Sequence, residues 1–556
     1  MTILERINTF IDIKGYKDDP HCLGVLFYGS SLTGFNKENS DIDLHVIFDD
    51  SDPTHLIRAN YVIDDVPIEY FEKTLGEVYL TIENDFKEQN NAPLSIFGKS
   101  KIIYARDNRL AKLQEYTINK FSRPLPPLSI NEARECVSII NNRMEKLYAY
   151  SITDDPYFEH LYHLTIEKIR RFYHNRMGIP RIETVKGFRL YRDEEYRKSF
   201  YIDKIPEQEF LDIYFKAVSE ENLSNQEKYQ LLNKLYTYAK GEIALGDDYR
   251  IPIKSRSTVI NDDREYPKTI DKRESITIPT DISNKISTFI YEMGYINDPH
   301  CLGIIVCGSS ITGFNTKDSD IDLQVIFDND DSVIIRGNKK INGTRIEYFE
   351  KPMDDIFNAI DTEYLNQDNA LYSIIGKGAI VFERGEWVSL LKQYAIDVFS
   401  KPLPPLTFDK AREKVSILNN RMKNLKELAI NDSPEFDHVY HLVIDMIRKF
   451  YHKLNGLPKI ATSKVYRIYT DDAYRESICK INPETEFVNM FIELITVKCN
   501  DKLKKYQMVE RFFNYATRGI NIEKNYMIPI ESKYYKKESS KQCIKKNCMF
   551  AQLFKI

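Results

Sequence analysis

Between Leu23 and Phe48 the chain reads LGVLFYGSSLTGFNKENSDIDLHVIF, and between Leu302 and Phe327 it reads LGIIVCGSSITGFNTKDSDIDLQVIF. In each copy a short apolar stretch runs into Gly-Ser, ten residues follow, and Asp-Ile-Asp-Leu opens a second apolar stretch. Side chains two apart on a strand share a face, so Asp41 and Asp43 present paired carboxylates, as do Asp320 and Asp322. Paired hard oxygen ligands suit Mg2+, which takes one or two carboxylates together with the phosphates of a substrate. Gly29 and Gly308 let the backbone come close to a ligand. If Ser30 and Ser31 open a helix, their free N–H groups form an anion cradle, and Ser309 stands in the same place in the second copy. Gly-Ser or Asp-x-Asp alone is common in loops. The ordered combination, written twice, is far more specific and predicts a site where metal and phosphate meet between two strands.

YGSSLTGFNKENSDIDL resembles the signature of the nucleotidyltransferase superfamily related to DNA polymerase beta, and in particular its aminoglycoside adenylyltransferase branch. The resemblance implies Mg2+-dependent transfer of a nucleoside monophosphate, AMP from ATP, onto a hydroxyl, with two metal ions per site. It makes Asp41, Asp43, Asp320 and Asp322 the metal ligands. Glu69 and Glu347, in the two IEYFE segments, fall where the superfamily keeps a third carboxylate, implied as both ligand and general base. Ser30, Ser40, Ser309 and Ser319 would hold phosphate beside Gly29 and Gly308. A fainter likeness links IRRFYHNRMGIPRIETVKGF and IRKFYHKLNGLPKIATSKVY to streptomycin/spectinomycin adenylyltransferases, whose triphosphate-binding lysine falls on Lys186 and Lys464. The implied acceptor is a small molecule, an aminoglycoside in the resistance enzymes. A protein, a tRNA end or another nucleotide stays open as acceptor, as does a non-catalytic nucleotide-binding regulator.

The elements that must position these residues are written in duplicate. From Pro20 to Phe48, 20 of 29 positions are identical to Pro299 through Phe327, and FSRPLPPL, NNRM and HLYHL return as FSKPLPPL, NNRM and HVYHL. This predicts two tandem units, each a mixed α/β nucleotidyltransferase domain followed by an all-α helical bundle: residues 1–123 and 124–253, a polar linker at 254–275, then 276–401 and 402–533, with a Lys-rich tail at 534–556. Within a unit an amphipathic helix leads, the two motif strands follow, and a hairpin turning at Asn342-Gly343, or more weakly at Asp64-Asp65, returns IEYFE beside Asp-Ile-Asp. Gly98-Lys99 reads as a structural turn before a strand. Apolar periodicity predicts helices at 131–150, 157–176, 207–219 and 225–240. The active site is expected in the cleft between each sheet and its own bundle. Because both copies keep every site residue, both are expected to be competent.

The 556-residue chain carries 42% hydrophobic and 29% charged residues and a net charge of −5, which fits soluble domains and shows no basic surplus of the kind that marks a phosphate-backbone binder. No apolar run approaches the length of a membrane span and the N-terminus lacks signal-peptide form, so the expected location is cytoplasmic. Eight scattered cysteines without CxxC spacing read as free thiols. His160 and His163 lie one helical turn apart, the spacing of a two-histidine metal site, but with no third ligand evident they and His174, His438, His441 and His452 read as buried, hydrogen-bonded side chains or substrate contacts.

Overall fold

The computed structural model describes residues 1–35, 40–52, 55–220, 222–255, 257, 264–267, 270, 277–312, 320–328, 333–478 and 482–531. Ser319, the Lys-rich tail and most of the expected linker lie outside the described residues. No helix among the described residues is long and apolar enough to cross a membrane.

The first unit begins with the helix Ile3–Lys14, started by a capping box between Thr2 and Glu5 and ended by Gly15 in the left-handed region. Strands β1 (Cys22–Tyr28), β2 (Ile42–Phe48), β3 (Ile57–Ile63), β4 (Val66–Thr74) and β5 (Lys101–Ala105) follow. β1 is buried along its whole length, as a near-continuous apolar strand must be when both sheet faces are covered. On one face Val25, Phe27, Leu44 and Val46 pack against Ile7, Phe10 and Ile11 of the leading helix. On the other, Leu23, Leu26 and Ile47 pack with Val78, Ile82, Leu110 and Leu113 of the helices Leu75–Lys87 and Arg109–Phe121. β2 and β4 run parallel and the neighbouring pairs antiparallel.

The hairpin between β3 and β4 turns through Asp64 and Asp65, both at positive φ, a conformation that short polar side chains tolerate. The second unit repeats the sheet with β7 (Cys301–Cys307), β8 (Ile321–Phe327), β9 (Ile335–Ile341), β10 (Thr344–Pro352) and β11 (Ala379–Glu383), turning at Asn342-Gly343 as the sequence predicts. Ahead of β5 the predicted turn is wider than a β-turn. Leu94–Gly98 forms one π-helical turn closed by the Lys99 N–H on the Leu94 carbonyl, which carries Phe97 into the core.

The helical halves hold Ile130–Thr153, Phe158–Met177, Gln208–Ser219 and Asn225–Lys240, with counterparts Phe408–Ile430, Phe436–Leu454, Thr485–Thr496 and Lys502–Ala516. Two short helices, Thr184–Arg192 and Glu194–Ser199, were not legible, being too brief to show a period. Each half forms its own bundle, and the two bundles pack against each other. Their apolar residues make one continuous core, from Ala133 and Leu161 in the first to Val443 and Phe512 in the second.

At the centre of that core Phe158–Met177 packs against Phe436–Leu454. His160 Nδ1 lies 3.2 Å from His441 Nδ1, and the His163 ring stacks on His441 at 4.9 Å between centroids. His438 Nε2 approaches Glu167 at 3.9 Å. His174 and His452 bond to the carbonyls of Pro180 and Pro458 and to the hydroxyls of Tyr191 and Tyr469. The histidines are thus buried side chains, four of them in contact across the two units.

The chain ends complete the union. β6 (Tyr249–Pro252), which follows the first unit's last helix, pairs antiparallel with β9 of the second sheet. β12 (Tyr526–Pro529) pairs with β3 of the first sheet. Each sheet therefore has six strands, in the orders β12-β3-β4-β2-β1-β5 and β11-β7-β8-β10-β9-β6, and each takes its last strand from the other unit.

Burial holds His160, His163, His438 and His441 neutral, with His160 pushed down to about 3. The unfolded chain binds those protons below about 6.5, so their contribution is complete above that pH and is lost as pH falls toward the folded values. The slope is about 1.4 kcal/mol per pH unit for each proton that only the unfolded chain holds. The melting temperature is expected to fall between pH 7.5 and pH 5, and to fall less in a His163→Leu/His441→Leu variant. An equal drop in both proteins would move the acid sensitivity elsewhere.

Candidate active site

Sheet register builds the site. β1 ends at Tyr28 directly opposite Asp43, and Asp43 stands opposite Glu69 on the parallel neighbour β4. Asp43, His45 and Ile47 share a face by strand alternation, and the His45 ring stacks on Phe71 of β4 at 5.1 Å. Asp41, just before β2, joins them from the strand entrance. One carboxylate oxygen from each of Asp41, Asp43 and Glu69 lies within 4.8 Å of the others, a set able to hold a metal ion. The second sheet has the same register, Cys307 opposite Asp322 and Asp322 opposite Glu347.

The Gly-Ser turn is shaped around this cluster. Gly29 has φ +84, and a Cβ there would sit 2.0 Å from Asp43 Oδ2. Gly308 repeats the arrangement at φ +76, with Asp322 Oδ2 at 2.2 Å. Both the backbone region and the close approach exclude any side chain. Ser30 and Ser309 each open a four-residue helix, Ser30–Thr33 and Ser309–Thr312. The second serine ties the turn down: Ser31 Oγ donates to the Asp41 carbonyl at 2.8 Å, and Ser310 Oγ to the Asp320 carbonyl at 3.0 Å. Ser40 precedes Asp41 at the strand entrance.

Burial and the charges of Asp41 and Glu69 push the Asp43 carboxyl well above the usual range, opposed by the Lys186 ammonium. Burial and Glu347 likewise raise Asp322 to about 7, opposed by Lys464. Both lysines predicted from the fainter motif are therefore near the carboxylates. Lys186 lies in the first turn of Thr184–Arg192, whose N-cap Glu183 accepts from the Lys186 N–H. Arg58, which sequence reasoning missed, donates from Nε and Nη2 to Glu69 Oε1 at 2.9 and 2.6 Å. Arg336 of the second unit donates to Glu347 Oε1 from Nη2. The available signal was a basic residue in the strand opposite IEYFE in both copies.

The expected cleft between a sheet and its own bundle is only half the site. Lys186 comes from the first unit's helices. The cavity beyond Asp41 and Glu69, about 440 Å³, is walled by the second unit instead, through Ser416, Asn419 and Asn420, through Tyr506 and Asn514, and through Tyr526 of β12. The reason is the strand exchange: β12 lies beside β3 and brings its helices with it. Asn419 and Asn420 belong to the NNRM stretch kept unchanged in both copies, a signal that carried no role until the second bundle was seen over the first sheet.

The two sites also differ. Arg345 donates to Asp320 through Nε and Nη2 at 2.7 and 2.6 Å, and grips Glu145 of the first unit's Ile130–Thr153 helix at 2.9 and 3.0 Å. The corresponding residue of β4 is Pro67. The two carboxylate clusters therefore differ in the partners of their first aspartate.

The site thus consists of a mixed sheet with a Gly-Ser turn, Asp41 at the entrance of β2, Asp43 on that strand and Glu69 beside it. The nucleotidyltransferase domain model matches residues 18–110 and again 297–377. The chain thus carries two nucleotidyltransferase domains in tandem. A solved structure of a nucleotidyltransferase-like protein from Exiguobacterium sibiricum 255-15 is similar over 43% of this chain and 74% of its own, with 15% identity and a TM-score of 0.27. No curated protein matches the chain.

Gly29 supplies a direct check on the site's construction. Gly29→Ala is expected to weaken divalent-cation binding in the first unit about tenfold or more, the scale of losing a ligand's support. Gly15→Ala, in the left-handed helical region (φ +69, ψ 20) with nothing within 4 Å of a Cβ, incurs a milder backbone strain and no clash and should leave binding unchanged. Titration of both variants with Mn2+ decides it; equal effects would mean that the turn is not fitted to Asp43.

Proposed function

We propose that the protein is a divalent-cation-dependent nucleotidyltransferase that moves a nucleoside monophosphate, AMP from ATP, onto a hydroxyl of a small polar molecule held between the first sheet and the second unit's helices. The observation that carries this reading is the convergence of Asp41, Asp43 and Glu69, with Asp41 and Glu69 at the wall of the 440 Å³ cavity. Three carboxylates repel one another unless a cation lies among them, and the all-oxygen set fits Mg2+. Bound there, the ion would polarise the transferred phosphate and make the attacking oxygen more acidic.

The chain's own residues do the rest. Lys186 offers a point charge to phosphate on the side of the first unit's helices, and Ser30, after the glycine that passes Asp43, offers a hydroxyl. Glu69 takes the proton of the acceptor hydroxyl as that oxygen bonds to the α-phosphorus and pyrophosphate departs with the electrons of the broken bond. Arg58 holds Glu69 Oε1, fixing the carboxylate's orientation for that transfer. The cavity is of small-molecule size, and Asn60, Asn419, Asn420 and Asn514 present amides that both donate to and accept from hydroxyls. Lys423, Lys426 and Lys524 share the wall with Glu510 and Glu523. Those lysines disfavour a polycationic amino sugar, so a hydroxyl-rich acceptor without several amines fits better.

The test is incubation with each α-labelled nucleoside triphosphate, Mg2+ and separate pools of small metabolites, tRNA and protein. Label is expected in the small-molecule pool. It should fall by about two orders of magnitude or more in Asp41→Asn/Asp43→Asn, the scale on which loss of preorganised electrostatics acts. Label in no pool, or an unaffected double variant, would overturn the reading; label in tRNA or protein would replace the acceptor.

A further inference from the structure

Three positions decide where protein charge lies around each carboxylate cluster, and the two units differ at all three. β4 enters the cluster with Pro67, where β10 enters with Arg345; both residues stand one before the isoleucine that pairs at the start of the aspartate strand. Following the shared NNRM, the helix over the first sheet continues Lys423-Asn424, and the helix over the second continues Glu145-Lys146. In the second site these substitutions act together. Arg345 spans Asp320 and Glu145, using both oxygens of each. Lys146 reaches Ser463 Oγ at 3.4 Å, and its charge acts on Asp320 and Asp322 with that of Lys464 alongside. In the first site Lys186 acts on Asp43 and Lys423 stands in the cavity wall with Asp41 and Glu69, but Pro67, in the place of Arg345, offers no guanidinium to Asp41.

We infer that the two clusters are unequal toward divalent cations: the first unit's carboxylates are the metal-loading site, and the second unit's are latched by Arg345, with Lys146 beside it, so that a protein guanidinium stands where an ion would enter. An arginine fork on a carboxylate uses both oxygens in fixed geometry, and a metal must break both bonds to reach Asp320. The second unit then serves transfer chiefly through its helices, which wall the first unit's cavity. This inference rests on the proposed function only in taking the carboxylates as metal ligands.

Mn2+ binding to the full chain, followed by electron paramagnetic resonance, tests it without reference to turnover. Tight binding should disappear in Asp41→Asn/Asp43→Asn and persist in Asp320→Asn/Asp322→Asn. The second site should bind roughly ten- to a hundredfold more weakly, the equivalent of charge-assisted hydrogen bonds that must be given up. Arg345→Gln should bring a second set of tight Mn2+ sites, and Pro67→Arg should weaken the first. Circular dichroism and melting temperature establish that each variant is folded, and Arg345→Lys, which keeps the charge but gives up the fork on both Asp320 oxygens, should bring part of the same gain. Two equal sets in the unaltered protein, each lost with its own aspartates, would overturn the inference while leaving the proposed function standing, as would folded Arg345→Gln and Arg345→Lys variants with unchanged binding. Absence of Mn2+ binding in any form of the protein would overturn both.

Discussion

The packing of Phe158–Met177 against Phe436–Leu454 is the contact on which the rest depends. Nearly every residue of both helices that faces the seam is buried, including Arg170 and Arg448, which are held by Glu167 and Asp445 at 2.9 and 2.7 Å. Unpaired, those charges could not be buried at acceptable cost. Tyr157 extends the seam by donating to the Thr462 carbonyl at 2.6 Å and stacking on Tyr466. With the helices locked in this way, each bundle lies over the opposite sheet, and the strand after each last helix has only the opposite sheet edge to join. The cavity, the exchanged strands and the charge on each cluster all follow from that placement.

Much of the site was legible because its information is local. Gly29 must be glycine for the turn to pass Asp43, Asp41 and Asp43 must be two apart to share a face, and the β3–β4 hairpin fixes Glu69 beside Asp43 by register. All of these lie within a few dozen residues, where turn chemistry and strand alternation act directly. Helix positions in the bundles were readable for the same reason, since long amphipathic periods survive any tertiary arrangement.

What could not be read is set by contacts between distant residues. Asn60 donates to the Lys524 carbonyl, and the Val62 N–H to the Asn525 side chain, across more than 460 residues. A short strand such as Tyr526–Pro529 carries no mark of the sheet it will join. Nor does a pair of asparagines on a helix reveal which carboxylates it will face. Arg345 carries no local signal in its strand, and only the position of Asp320 gives it meaning.

The exchange of strands has a consequence for how the sites could come to differ. In a homodimer of identical chains with a two-fold interface, every substitution enters both active sites at once, so a residue that closes one closes its twin. Here the two protomers' worth of structure is one polypeptide. Arg345 can face Glu145 in one cleft while Pro67 faces Lys423 in the other, because each position is encoded once. Covalent fusion has kept the architecture of a symmetric pair and released it from the obligation to be symmetric in its chemistry.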